Sequence, residues 1–343
     1  MRHRHPLPRP PLPTSRVARA LLVLVAMLAA VFAAGAVPGS AQERDRPLVI
    51  AHRGASGYLP EHTLAAYALA VGQGADFVEP DLVLTRDGHF VCLHDIHLEG
   101  TTDVEQRFPA RGREDGRWYA ADFTLEEIRT LRAHERLAGR FPQDRGAFAV
   151  PTLVEMIDLV QGLETSTGRR IGIYPELKAP AWHREHGLPM EERFLALVRE
   201  RGYRGPEARI FVQSFEPEAL ERLRSAGSRL PQVLLLAEQE SGDEQSSESW
   251  LDDRGLAAVR AIADGIGPAK TLLMRDPSLV ARAHAAGLLV HPYTFRADDL
   301  PPGASSFEAE LEHYLVDLGV DGLFTDFPDL VVSFLDASAT FGR

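Results

Sequence analysis

Beyond residue 41 the chain alternates short apolar or β-branched runs with longer stretches whose apolar positions recur at helical spacing. The strand-like runs are Leu48–Ala51, Phe77–Thr85, Ile171–Leu177, Ile210–Ser214, Val233–Ala237, Leu288–Tyr293 and Val320–Thr325, with a weaker one at Ala263–Gly267. Amphipathic helices are expected over Glu61–Gln73, Thr152–Leu163, Met190–Arg201, Pro217–Ala226 and Pro277–Ala286. Strands separated by helices pair in parallel, because the connection is long enough to return the chain to the same edge. Eight such strands are the number that a closed α/β TIM (β/α)8 barrel requires.

One further run, Phe90–His94, follows the second strand after only Arg86-Asp87-Gly88-His89. That gap is too short for a parallel crossover, and Asp-Gly is a hairpin signal, so this run should return antiparallel as an arm. Residues 96–150 break the repeat. They carry charge, Trp118, Tyr119 and a short helical pattern at Thr124–Arg132, and are expected to form a small inserted subdomain. The acidic, Ser-rich stretch Glu238–Asp253 is expected to be a solvated loop.

Residues 1–41 stand outside this pattern. Arg2, Arg4, Arg9, Arg16 and Arg19 precede an uncharged apolar run, Ala20 to Ala34, and small residues ending Gly39-Ser40-Ala41. The run is short for a membrane span, so a cleaved secretory signal is expected, leaving 42–343 as an exported periplasmic or secreted domain without stable membrane insertion. The whole chain has 343 residues and a net charge of −12. Removing five arginines and no acid leaves −17 on residues 42–343. So acidic a domain is unsuited to nucleic acid, and any phosphate site in it needs local cations. The single cysteine, Cys92, excludes an internal disulfide and reads as a buried apolar residue.

Polar residues cluster at the C-terminal strand ends, where such barrels hold their active sites. His52-Arg53-Gly54 ends the first strand, and His94-Asp95 ends the arm. Glu79 and Asp81 in the second strand, and Glu176 and Lys178 in the third, lie two apart and so share a face. Gln213-Ser214 ends the fourth, His291 and Tyr293 the seventh, and Thr325-Asp326 the eighth. Three carboxylates without thiolates suit a hard divalent cation, Ca²⁺ or Mg²⁺, and would repel one another without it. The alternative is a buried ion network with Arg53 and Lys178. Two imidazoles on the same rim can move protons at neutral pH, and Arg53 and Lys178 can neutralise phosphoryl oxygens. Together these features favour phosphodiester cleavage. His62, His89 and His97 sit near the rim without an assignable partner.

The motifs His52-Arg53-Gly54-Ala55, Glu61-His62-Thr63, Glu79-Pro80-Asp81, Asp87-Gly88, His94-Asp95, Pro175-Glu176-Leu177-Lys178, His291-Pro292-Tyr293 and Asp321-Gly322-Leu323-Phe324-Thr325-Asp326-Phe327-Pro328 resemble those of glycerophosphodiester phosphodiesterases, above all the periplasmic bacterial members. The resemblance spans roughly residues 48–335. It implies metal-dependent hydrolysis of glycerophosphodiesters, such as glycerophosphocholine or glycerophosphoethanolamine, to sn-glycerol 3-phosphate and an alcohol. By the same resemblance His52 and His94 are the acid/base pair, and Glu79, Asp81 and Glu176 hold one divalent cation, Ca²⁺ ahead of Mg²⁺. Arg53 and Lys178 contact phosphate, while Glu61, Gln213, His291 and Tyr293 line or support the pocket. Which histidine is the base, and whether the glycerol 2-hydroxyl or a water attacks, stays open. Two positions depart from the family pattern: His62 stands where many members have Asn, and Tyr293 where many have Trp. The rival readings are a phosphatidylinositol-type phospholipase C, which the charged insertion and acidic balance oppose, and an exported glycerophosphodiester-binding protein, which would have no use for two histidines.

Overall fold

The computed structural model describes residues 46–238 and 247–338. The expected signal segment and part of the Glu238–Asp253 stretch lie outside them. All eight expected strand regions carry strand. In chain order they are β1 (Leu48–His52), β2 (Phe77–Glu79) with β3 (Asp81–Leu84), β5 (Gly172–Ile173) with β6 (Glu176–Leu177), β7 (Val212–Ser214), β8 (Gln232–Leu236), β9 (Gly265–Pro268), β10 (Leu289–Val290) and β11 (Gly322–Thr325). β4 (Phe90–Cys92) is the arm, antiparallel to β3 with Val83 opposite Val91. Pro80 and Pro175 interrupt the second and third strand regions, since proline has no N–H to give a ladder.

All the other ladders are parallel. They form a four-stranded sheet, β11-β1-β2-β5, and a seven-stranded sheet, β10-β9-β8-β7-β6-β3-β4. The two sheets meet through the interrupted second and third regions. At the other junction the described residues form no ladder; separate backbone hydrogen bonds cross it, among them Asp321 N–H to Val290 O and Phe324 N–H to Pro292 O, each 3.0 Å, with one isolated parallel bridge between Phe295 and Thr325. The regular pairing therefore follows the ring order expected of a barrel without forming one closed sheet.

Side-chain parity explains what the strands deliver. Val49, Ala51, Val78, Ile173, Leu177, Val212 and Leu323 belong to the main core, shared with helix side chains such as Tyr67, Ile157 and Phe194. Residues of the opposite parity, Ile50, Phe77, Tyr174, Val233 and Phe324, form a separate inner cluster. Continuing that inner parity toward the C-terminal ends gives His52 after Ile50, Glu79 and Asp81 after Phe77, Glu176 and Lys178 after Tyr174, and Asp326 after Phe324. The polar rim is the inner face carried two or four residues further.

Helices follow the expected order with shifted ends. The one expected from Glu61 begins at Leu64, because the Thr63 hydroxyl accepts the Ala66 N–H and caps it. The helix Leu153–Thr167 starts at a reciprocal Thr152/Glu155 cap and runs four residues beyond its expected end. Thr124–Arg132 shrinks to one turn, Leu125–Ile128. The end of the acidic stretch is ordered as a short turn, Ser247–Trp250, leading to an unexpected helix, Asp253–Ile262, capped by Asp252. Segment 96–150 contributes Leu98, Val104, Ala120, Phe123, Ile128, Leu131 and Val150 to a small core that also takes Val83, Val91 and Leu93 from β3 and the arm. Cys92 is buried, and burial pushes its thiol far above the usual range. Among the described residues no helix is long and apolar enough to cross a membrane.

Candidate active site

The turn after β1 sets the geometry. Arg53 has φ +58°, a left-handed conformation rarely held by a bulky side chain, and Gly54 follows at φ +85°. A Cβ on Gly54 would lie 2.7 Å from the Ala66 carbonyl carbon, so only glycine lets the turn pack on the next helix. The turn aims the Arg53 N–H at Glu79 Oε2, 2.8 Å away. Its guanidinium Nη1 donates to both Glu61 oxygens at 3.1 Å, and its Nε lies 3.3 Å from Asp81 Oδ2. Against the cost of burial, Glu61, Asp81 and Glu79 hold Arg53 firmly charged.

A cavity of about 300 Å³ opens beside this turn, lined by His52, Arg53, Glu79, His94, Glu176, Gln213 and Tyr293, with Phe215, Lys270 and Arg296 among its other walls. Carboxylate oxygens of Glu79, Asp81 and Glu176 lie within 4.8 Å of one another, and all three residues are buried. Burial, Asp81 and Glu176 push the Glu79 carboxyl well up. Burial raises Glu176 to about 8, although Lys178 Nζ stands 2.8 Å from its Oε1. Asp81 goes the other way: against burial, Lys178, His62 and Arg53 hold it ionised. The trio is short of positive charge, and it titrates as a group. Asp81 Oδ1 and Gln213 Oε1 are buried without a hydrogen-bond partner among the described residues. A three-carboxylate, all-oxygen donor set with a bare acceptor fits a hard divalent cation.

Both histidines are oriented by a carboxylate. His52 Nδ1 lies 2.7 Å from Asp326 Oδ1, and His94 Nδ1 lies 2.8 Å from Asp95 Oδ1. Asp95 is drawn down to about 2, first by its bond to His94, and Asp326 lies lower still despite burial, held by His52, Arg296 and Arg140. Ionised carboxylates only accept, so each imidazole carries its proton on Nδ1 and leaves Nε2 free for the cavity. Burial and then Arg53 lower His52 to about 4, and the same two causes lower His94. His52 is the more enclosed, with 10% of its side chain exposed against 28% for His94.

The remaining expected residues divide. Gln213 Nε2 donates to Glu79 Oε1 at 3.0 Å, and Tyr293 closes one wall with its hydroxyl on Leu236 O. Lys178 approaches Glu176 and lies 5.5 Å from the Phe215 ring. Glu61 supports Arg53 from behind and is ion-paired to Arg136 at 2.9 Å. His291 sits below the site, fully buried, with Nδ1 2.9 Å from the Tyr174 hydroxyl, and does not line the cavity. His62, which has no assignable partner in the sequence, gains two in the fold: its Nε2 lies 3.0 Å from Asp81 Oδ2 and its Nδ1 2.9 Å from the Tyr67 hydroxyl. Asp326, Arg136, Arg140 and Arg296 join the site as well, through contacts that the strand pattern does not announce. Only Asp326, at a strand end, carried a signal that could have singled it out.

Residues 52–330 match the glycerophosphoryl diester phosphodiesterase family, a span that includes every residue of this site. The chain belongs to that family. It is similar to the glycerophosphodiester phosphodiesterase of Haemophilus influenzae, with 36% identity covering 86% of this chain and 91% of the relative. Its likeness to the Bacillus subtilis enzyme of the same name is 32%, over 85% and 87% of the two chains. Among solved structures, a phosphodiesterase from Oleispira antarctica in complex with its product sn-glycerol-3-phosphate superposes with a TM-score of 0.62 at 25% identity, covering 85% and 98%. These likenesses give the family member a TIM-barrel-type fold and the activity of a phosphoric diester hydrolase on glycerophosphodiesters. Its acidic cluster can hold a divalent metal.

Proposed function

We propose that this enzyme hydrolyses glycerophosphodiesters such as glycerophosphocholine or glycerophosphoethanolamine, outside the cytoplasm, with His52 and His94 as the acid/base pair. What carries the reading is the pair of carboxylate-oriented imidazoles facing the same cavity as the three-carboxylate cluster. Glu79, Asp81 and Glu176 would hold the cation, Ca²⁺ ahead of Mg²⁺. Such an ion, when bound, supplies positive charge to a phosphoryl oxygen and acidifies a ligated hydroxyl.

The protein side chains do the rest. Arg53, held charged behind the cluster, faces the non-bridging oxygens, and Lys178 adds a second cation. His52 Nε2 removes the proton of the attacking oxygen, either the glycerol 2-hydroxyl or a water, as the new P–O bond forms. For the bond to the departing alcohol to break, His94 enters the step as the imidazolium, its Nδ1–H held by Asp95, and gives the Nε2 proton to the alcohol oxygen. The role assignment follows exposure: the enclosed imidazole serves the nucleophile, and the more open one serves a group that must leave for solvent. A cyclic phosphate, if the 2-hydroxyl attacks, is opened by water with the two roles exchanged.

The scaffold reading is a (β/α)8 barrel carrying residues 96–150 as an inserted subdomain, supported by the ring order of the ladders and the small separate core. An arginine-bearing leader before an apolar run supports export. Residues 42–343 incubated with glycerophosphocholine and Ca²⁺ or Mg²⁺ should release glycerol 3-phosphate and choline. Release of neither, from folded protein holding the cation, would reject the substrate assignment.

A further inference from the structure

Arg140 belongs to the segment that leads back from the insertion, yet its side chain is only 6% exposed and reaches the end of β11. Its Nη2 donates to Asp326 Oδ2 at 2.7 Å and its Nη1 to the Ser56 carbonyl at 3.1 Å. Ser56 in turn gives its hydroxyl to the His52 carbonyl at 2.8 Å, and Gly57 N–H donates to Asp326 O at 2.9 Å. One guanidinium thus touches both the carboxylate that holds the His52 ring and the backbone loop that follows His52. Asp298 takes Arg140 Nε and Nη2 on its outer side, at 2.8 and 3.0 Å. The same segment is pinned a second time by Arg136, ion-paired to Glu61.

The Asp326 carboxylate has two oxygens with separate work. Oδ1 faces His52, while Oδ2 receives Arg140 and, at 2.9 Å, Arg296 Nε. Arg296 lines the cavity and is 29% exposed, so it is the looser of the two anchors. Arg140 is buried and makes bonds in three directions, which fixes the plane of the carboxylate. That plane sets the imidazole plane, and with it the direction of the Nε2 lone pair.

We propose that Arg140 is a positioning residue for the reaction, acting through Asp326 to aim His52 at the nucleophile, so that the later part of segment 96–150 completes the catalytic apparatus. The inference rests on the reading of His52 as an acid/base group. Misdirection of a proton acceptor by a fraction of an ångström leaves substrate binding intact and slows the chemical step.

The test compares Arg140→Met, Arg140→Lys and Asp298→Asn in the full chain loaded with Ca²⁺. Steady-state kinetics on glycerophosphocholine is paired with ¹⁵N NMR of the His52 ring. Arg140→Met should lower kcat on the order of tenfold to a hundredfold, with KM within about twofold, and broaden or shift the His52 signals. Arg140→Lys, which can keep one bond to Asp326, should recover part of the rate. Asp298→Asn, which cuts only the outer contact, should stay near wild type. Arg140→Gln replaces the methionine variant if the latter does not fold. Normal kcat with unchanged His52 signals in the truncated variant would overturn the proposal. So would a rate loss that tracks melting temperature and is not recovered by lysine. A wild-type protein inactive on every glycerophosphodiester would instead count against the substrate reading, while the ring signals would still decide whether Arg140 orients His52.

Discussion

His62 and Asp81 meet at 3.0 Å, Nε2 to Oδ2, and this contact decides which carboxylate oxygen the protein keeps free. Oδ2 is also within 3.3 Å of Arg53 Nε, whereas Oδ1 is buried with no hydrogen-bond partner among the described residues. Because the ionised carboxylate only accepts, His62 donates its Nε2–H to Asp81, while its Nδ1 faces the Tyr67 hydroxyl 2.9 Å away. Hydrogen bonds behind metal ligands typically contribute 10–100-fold in affinity. His62→Ala should therefore weaken Ca²⁺ binding by about that factor, with His62→Asn retaining part of it through its amide donor. Titration calorimetry reads this without any turnover. An unchanged Kd in the alanine variant would remove His62 from the site.

A second prediction concerns the repulsion among Glu79, Asp81 and Glu176. A cation among them relieves it and binds the folded chain selectively, so saturating Ca²⁺ at about 100-fold its Kd should add about 2.7 kcal/mol to stability. The melting temperature should rise in wild type and stay flat in Asp81→Asn. Chelation should lower it again and abolish turnover. Full activity after exhaustive EDTA treatment and dialysis would contradict a required metal.

These two cases mark what the chain makes legible. Glu79 with Asp81, and Glu176 with Lys178, are visible because a strand returns to the same face every second residue, and the apolar residues Phe77 and Tyr174 identify that face as inner. His52, His94 and Arg53 are visible because each ends a strand-like run. Arg140, by contrast, lies in an irregular segment 186 positions from Asp326 and obeys no period. Its contact exists only once β11 pairs with β1 and the segment bearing Arg140 folds against it. The helix expected over Glu61–Gln73 includes His62. Thr63 caps that helix, which frees His62 to turn, at φ +62°, toward Asp81. His291 shows the converse: inner parity alone does not place a histidine on the cavity, because the same face is packed core one turn of pleat lower.

His183 supplies a stability test separate from catalysis. The ring is fully buried, both nitrogens lack partners among the described residues, and burial, then His186, lower its pKa to about 4. The unfolded chain binds that proton near ~6.5, so between those values only the unfolded state is protonated. The stabilising effect of keeping His183 neutral is complete above about pH 6.5 and declines as pH falls toward 4. The full effect is up to about 3 kcal/mol. His183→Leu removes both the titration and two unsatisfied polar atoms. Its stability relative to wild type in urea should improve steadily from pH 7 to pH 4.5. A pH-independent difference would contradict the assignment.

The separate duties of His52 and His94 can be resolved by changing the leaving group. His52→Ala and His94→Ala should each lower kcat on glycerophosphocholine by about 10²–10⁴, with little change in melting temperature, since both side chains lie on the rim. Choline leaves as an alkoxide and needs a proton; p-nitrophenolate does not. On the p-nitrophenyl ester of glycerol 3-phosphate, His94→Ala should regain much of its lost rate, because the step it served is no longer required. His52→Ala should remain slow on both substrates, because the attacking oxygen still has to lose its proton. Rescue of the His52 variant alone would exchange the two roles and break the link between enclosure and service to the nucleophile. Rescue of neither would mean that both imidazoles chiefly hold the phosphoryl group, with Asp326 and Asp95 serving to keep them in place rather than to set their tautomers.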